Sequence, residues 1–124
     1  MIFVFGSNLI GVHGAGAALY AVRFHGAISG QGIGMQGSSY AIPTKDERFR
    51  SLHSTEIEGY VEDFIQFAED NPKLDFQVTK IGCGLAGFQD KQIAPLFDRA
   101  PKNCYFDEAW EPYFMSNHPY WGSF

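Results

Sequence analysis

Phe76-Gln77-Val78-Thr79-Lys80-Ile81-Gly82-Cys83-Gly84-Leu85-Ala86-Gly87 runs from an apolar segment of β-strand character straight into three glycines within six residues. The start of the chain repeats the arrangement. Met1-Ile2-Phe3-Val4-Phe5 stops at Gly6, and Gly14-Ala15-Gly16-Ala17-Ala18 opens a helix-forming run. Twelve of the fourteen glycines lie in these two neighbourhoods, nine from Gly6 to Gly37 and three from Gly82 to Gly87. Glycine at a strand end lets the backbone turn tightly or lie bare beside a ligand, and parallel strands open on one edge. Between the clusters, strand and helix signals alternate. Strands are predicted over 2–5, 39–43 (ended by Pro43) and 76–81, with Phe76, Val78 and Lys80 on one face, and helices over 15–24, 55–70 and within 90–99. Residues 26–37 read as a glycine-rich loop and 104–106 as an edge strand. In the 55–70 helix, Thr55 and Glu58 have capping-box spacing, and Ile57, Tyr60, Val61, Phe64 and Ala68 share one apolar face. The alternation predicts an α/β protein in three layers, α/β/α, with a small, mostly parallel sheet flanked by helices.

At 124 residues, 45% apolar and 16% aromatic, the chain is sized and composed for one well-filled domain. Its net charge is −5 and it has no basic run, which excludes a nucleic acid chain as expected partner. The two cysteines, Cys83 and Cys104, form no CxxC or zinc spacing, so neither disulfides nor a metal site are expected, and the setting reads as cytoplasmic. The apolar N-terminus stops at Gly6 without a basic leader and reads as a buried strand, not as a membrane span. Residues 1–106 are expected to form the ligand-binding domain. Residues 107–124 are an aromatic tail in which Pro112 and Pro119 argue against regular structure; it is expected to pack on the domain or on a partner, a second copy included.

Two generic phosphate motifs fail in context. The run Gly11 to Ala18 has P-loop glycine spacing, but Ala17 and Ala18 stand where Lys and Ser/Thr are required. Gly32-Ile33-Gly34-Met35-Gln36-Gly37 matches GxGxxG but precedes a strand instead of opening a helix. There remains Gly14 to Ala18 at a helix start, where free N–H groups and the dipole favour an anion, or where small residues serve close packing. Two glycine-lined loops on one sheet edge suit a diphosphate-containing nucleotide, with Phe88 over a ring or ribose.

His13-Gly14-Ala15-Gly16-Ala17-Ala18, Phe24-His25-Gly26, Ser39-Tyr40-Ala41-Ile42-Pro43-Thr44-Lys45 and Lys80-Ile81-Gly82-Cys83-Gly84-Leu85 together resemble the macrodomain family, in particular the branch that includes the terminal ADP-ribose protein glycohydrolase. The resemblance spans roughly residues 2–100 and implies a macrodomain-like domain that takes ADP-ribose or an ADP-ribosylated substrate and needs no cofactor. By it, Gly14, Ala15 and Gly16 lie under the diphosphate. Gly82, Cys83, Gly84, Leu85, Ala86, Gly87 and Phe88 form the opposite wall, and Asn8 stands beside the distal ribose. Lys45 falls near the lysine that attacks the anomeric carbon, a role that requires a deprotonated amine; its other reading is a solvated lysine beside Asp46 and Glu47. The branch carries an acidic residue directly after the GCGL run, where this chain has Ala86. Asp90 is the substitute within reach, and it equally suits a helix N-cap. No counterpart of the family's acidic adenine contact precedes the first strand. His13 is a candidate phosphate contact or acid, or a structural loop residue. Cys83 lies near a helix start, a setting that lowers a thiol pKa, or is simply a small buried side chain. The function implied is ADP-ribose binding with hydrolysis of an ADP-ribosyl linkage. The alternatives are a reader without turnover and an interaction protein acting through its tail.

Overall fold

The computed structural model describes all 124 residues. In chain order they form β1 (Ile2–Asn8), α1 (Gly16–Phe24), β2 (Gly34–Gln36), β3 (Ser39–Lys45), α2 (Ser54–Asp70) and β4 (Phe76–Val78). Then come α3 (Asp90–Ile93), which continues into a 3₁₀ turn at Ala94–Phe97, β5 (Cys104–Asp107), a 3₁₀ turn at Glu108–Tyr113 and β6 (Tyr120–Gly122). One sheet holds all six strands in the order β2-β3-β1-β4-β5-β6. Every pairing is parallel except β2 with β3. No helix is long and apolar enough to cross a membrane.

β1 lies at the centre, and Phe3, Val4 and Phe5 are all fully buried, as a strand covered on both faces requires. Val4 faces the larger core of eighteen residues under α2, α3 and the tail. Phe3 and Phe5 face a smaller core made with Ala18, Ala21, Ala27 and Ala41, where alanines bring α1 close to the sheet. Ile57, Val61, Phe64, Ile65 and Ala68 of α2 bury one stripe. Each such Phe, Ile or Val contributes about 1.5–3 kcal/mol relative to leaving it in water.

Several boundaries differ from the sequence expectation. β3 runs on through Pro43 because β2 begins only at Gly34, opposite Ala41, so no strand on that side needs the missing N–H. The α2 cap is His53, whose ring accepts from the Thr55 N–H at 3.2 Å; Thr55 is therefore inside the helix and the Thr55–Glu58 capping box is not used. β4 stops at Val78, since the Thr79 hydroxyl turns back to the Val4 carbonyl at 2.7 Å, and Lys80 leaves the strand. The expected edge at 104–106 is interior: β6 pairs with β5, and the Phe106 N–H donates to the Pro119 carbonyl at 3.0 Å. Pro119 lacks a donor, but here only its acceptor is used. Pro112 sits inside a 3₁₀ turn that delivers Trp110, fully buried, against Phe97 and Phe106.

Candidate functional site

A cleft of about 490 Å³ opens at the carboxyl ends of β1, β3 and β4. Both glycine loops line it.

The first loop is fastened by Asn8. Its Nδ2 donates to the Val12 carbonyl at 2.8 Å, and its Oδ1 accepts from the Val12 N–H at 2.9 Å. Gly11 turns with φ of 72° beside the backbone of Gln31, where a Cβ would approach to 2.3 Å, so only glycine fits. The chain then enters α1 through Gly14, Ala15 and Gly16, all lining the cleft. Ala15 supplies no side-chain cap, and the first turn of α1 holds no acidic residue. First-turn N–H groups thus lack a side-chain acceptor on the edge where an anion gains most from them. His13 lies outside the cleft lining: only 6% exposed, it sits edge-on to Phe5 and its Nε2 is 3.0 Å from the Gln31 carbonyl. That places the expected phosphate contact or acid in the packing beneath the loop.

The second loop turns on Gly82 (φ 73°) and Gly87 (φ 80°), closed by Phe88 N–H to Gly82 carbonyl at 2.9 Å. The second loop approaches β1 so closely that a Cβ on Gly6 would lie 3.3 Å from the Gly82 nitrogen. Gly82, Cys83, Gly84, Leu85 and Ala86 line the cleft, whereas Gly87 does not and Phe88 turns into an adjoining cavity of about 370 Å³. Asp90 faces that cavity as well, and its Oδ1 accepts from the Trp110 indole N–H at 3.0 Å. Nor does Asp90 cap the helix. Gln89 does so through reciprocal bonds with Gln92. The Cys83 thiol is pushed up to about 12 by burial and then by the hydrogen bond and charge of Asp90, against a smaller opposing effect of Lys80. The helix-start setting therefore does not make it a ready thiolate.

Lys45 ends β3 in register with Asn8 and lines the cleft. The chain's three ion pairs lie elsewhere. Lys45 and Lys80 are the only Lys, Arg, Asp or Glu residues in the lining, in a chain of net charge −5. Thr44, Phe49, Thr79, Lys80 and Phe124 also line the cleft and are not among the site residues expected from sequence, although Thr44 and Lys80 lie within the recognised runs. Thr44 and Thr79 are predictable as strand-end neighbours of the loops, but Phe49 and Phe124 carry no sequence signal. No three His, Cys, Asp or Glu residues group to hold a metal ion.

No protein-family model matches the chain, and no curated protein does. Among solved structures it is similar to Thermosipho africanus DarTG in complex with ADP-ribose, with 17% identity and a TM-score of 0.59 over 88% of this chain. It spans 39% of that longer chain. It is also similar to a protein of unknown function from Bacteroides thetaiotaomicron, with 16% identity, a TM-score of 0.54 and 78% of each chain covered. Agreement at this level is one of fold. The chain has a macrodomain-like α/β fold, a six-stranded, mostly parallel sheet flanked by helices.

Proposed function

We propose that the chain binds ADP-ribose, or a closely related nucleotide diphosphate, in the cleft between its two glycine loops. The observation that carries this reading is the charge of the cleft. A protein of net charge −5 gathers two lysines and no carboxylate side chain around it, beside an uncapped helix start. Backbone N–H groups and the helix dipole there favour a diphosphate without further specialised residues. The volume of about 490 Å³ falls within the range of roughly 300–1,000 Å³ usual for small-molecule sites. The DarTG structure, which shares the fold, holds ADP-ribose.

Binding without turnover is the reading favoured here. Ala86 stands where the resembled glycohydrolases carry an acid, and Asp90 is engaged by Trp110 beside a different cavity. The second reading, hydrolysis of an ADP-ribosyl linkage, is supported by Lys45, whose amine makes no ion pair at the edge of the cleft. Thermal melts test the first: ADP-ribose at 100 times its dissociation constant should stabilise the protein by about 2.7 kcal/mol. Unchanged melts with ADP-ribose, ADP and NAD would reject it. Incubation with ADP-ribosylated protein tests the second, which fails if no ADP-ribose is released or if Lys45→Ala releases it as fast as wild type.

A further inference from the structure

We infer that Phe49 is a specificity-determining residue of the cleft, its ring forming the wall on which the C–H face of a pentose packs beside Lys45. The inference rests on the ADP-ribose reading above. Phe49 is the only residue other than glycine with a positive φ, 61°. Bulky side chains disfavour that region, and such a conformation persists only where the surroundings impose it. Asp46 imposes it here. Its Oδ1 accepts from the Arg48 and Arg50 N–H groups at 2.8 and 2.9 Å, and its Oδ2 accepts from the Arg50 side chain at 3.2 Å. Backbone bonds from Asp46 N–H to Arg50 carbonyl and from Phe49 N–H to Asp46 carbonyl close the turn. The Ser51 hydroxyl, donating to the Ala86 carbonyl at 2.6 Å, ties this turn to the second glycine loop.

Neither the turn nor the core accounts for a phenylalanine at this position. Glycine would make the turn without strain, and the ring is 49% exposed and belongs to neither core cluster. What the ring does is line the cleft, together with Leu85 and Ala86 from the opposite loop and with Thr44 and Lys45 from β3. A corner with apolar groups on one side and the Lys45 amine on the other matches a pentose, which has a C–H face and a hydroxyl edge. A bare phosphate gains nothing from a phenyl ring.

Calorimetric titration of wild type, Phe49→Gly and Phe49→Tyr with ADP-ribose and with ADP, which lacks the second pentose, tests the assignment. Phe49→Gly should bind ADP-ribose about tenfold more weakly and ADP within about twofold of wild type. Its melting temperature should not fall, because glycine suits the turn, and Phe49→Tyr should retain ADP-ribose binding within about threefold. Equal weakening of both ligands, or weakening of neither, would overturn the assignment. Wild type that binds neither ligand would instead reject the ADP-ribose reading itself, before any variant is compared.

Discussion

Asn8 and Lys45 stand side by side at the carboxyl ends of β1 and β3, paired in register just past a bulge, with the Leu9 N–H donating to the Lys45 carbonyl at 3.0 Å. Their side chains differ in circumstance. Both amide atoms of Asn8 are spent on Val12, whereas Lys45 has no ion-pair partner. Lys45→Met should therefore leave unfolding free energy within about 0.5 kcal/mol of wild type. It should weaken ADP-ribose binding by about 1.5–3 kcal/mol if the ammonium bonds a phosphate or hydroxyl of the ligand. Titration and urea denaturation of the same preparation check both halves. Full-strength binding by Lys45→Met would remove the amine from the ligand contact.

Asn8→Ala should behave the other way round. Two part-buried hydrogen bonds and their backbone partners at Val12 lose their complement, at a cost of about 1–3 kcal/mol. Binding should weaken as well, because the first loop is then no longer held against the strand end. Asn8→Asp, which keeps the acceptor for the Val12 N–H but loses the donor to its carbonyl, should fall between the two. An unmoved urea midpoint for Asn8→Ala would show that the loop needs no such fastening.

The parts legible from sequence are those written in local periodicity. The strands at 2–5 and 39–43 and the helices at 15–24 and 55–70 appear close to their expected bounds, since alternation and the 3.6-residue stripe reflect burial directly. The glycine loops were legible too, as strand ends with residues that take positive φ. What escaped depends on partners far along the chain. β6 exists because Pro119 needs only to accept a bond, from Phe106 thirteen residues earlier, and Asp90 is drawn off by Trp110 twenty residues later. β2, three residues in a glycine-rich stretch, is defined by its pairing with β3 and not by its own composition. Phe49 carries no periodic signal at all; its significance lies in a backbone angle.

Cys83 should alkylate slowly. With its thiol pushed up to about 12 by burial and by Asp90, the reactive thiolate is scarce at pH 8, where an ordinary cysteine with pKa near 8.5 is about a quarter ionised. Iodoacetamide should label it far more slowly than a free thiol, and Asp90→Asn should raise the rate by removing the negative neighbour. Labelling at the free-thiol rate in wild type would contradict the burial and the Asp90 contact together. Cys104, the fully buried first residue of β5, should stay unlabelled until the protein unfolds.

The aromatic tail should prove inseparable from the domain. Trp110 is fully buried against Phe97 and Phe106, and its indole N–H is bonded to Asp90. Trp110→Ala should cost about 3–5 kcal/mol, the range for emptying a large aromatic site. Trp110→Phe keeps much of the packing, loses the bond to Asp90 and should cost less. Truncation after Asp107 removes Trp110 and β6 together, leaving Phe97 and Phe106 open to water, and should yield a chain without a cooperative unfolding transition. A truncated chain that melts cooperatively near wild type would show that the two cores stand without the tail.

Acid should loosen the tail before it unfolds the sheet. Asp98 holds the tail at three points, its Oδ1 accepting from the Met115 N–H at 3.2 Å, the Ser116 N–H at 3.1 Å and the His118 ring at 3.3 Å. Burial alone would raise the Asp98 pKa. The bonds from Ser116, His118 and Met115, together with the His118 charge, outweigh burial and hold the carboxyl below its ordinary range. A carboxylate whose pKa is lowered by folding stabilises the folded state fully above its unfolded value, about 3.9, and loses that contribution as pH falls through the folded value. Between pH 7 and pH 5 the tail should therefore be insensitive to this group, with loosening confined to pH below about 4. Trp121 offers the readout, since its indole N–H donates to the Val78 carbonyl at 2.9 Å and moves into water if β6 departs. Tryptophan fluorescence should shift to the red below about pH 4 while the far-ultraviolet circular dichroism of α2 persists. Asp98→Asn, which cannot ionise, should show a loosened tail already at neutral pH and little further change on acidification. If Asp98→Asn keeps the wild-type spectrum at pH 7 and the wild-type acid transition, the tail is held by its packing on Phe97 and Phe106, and the carboxylate is incidental to it.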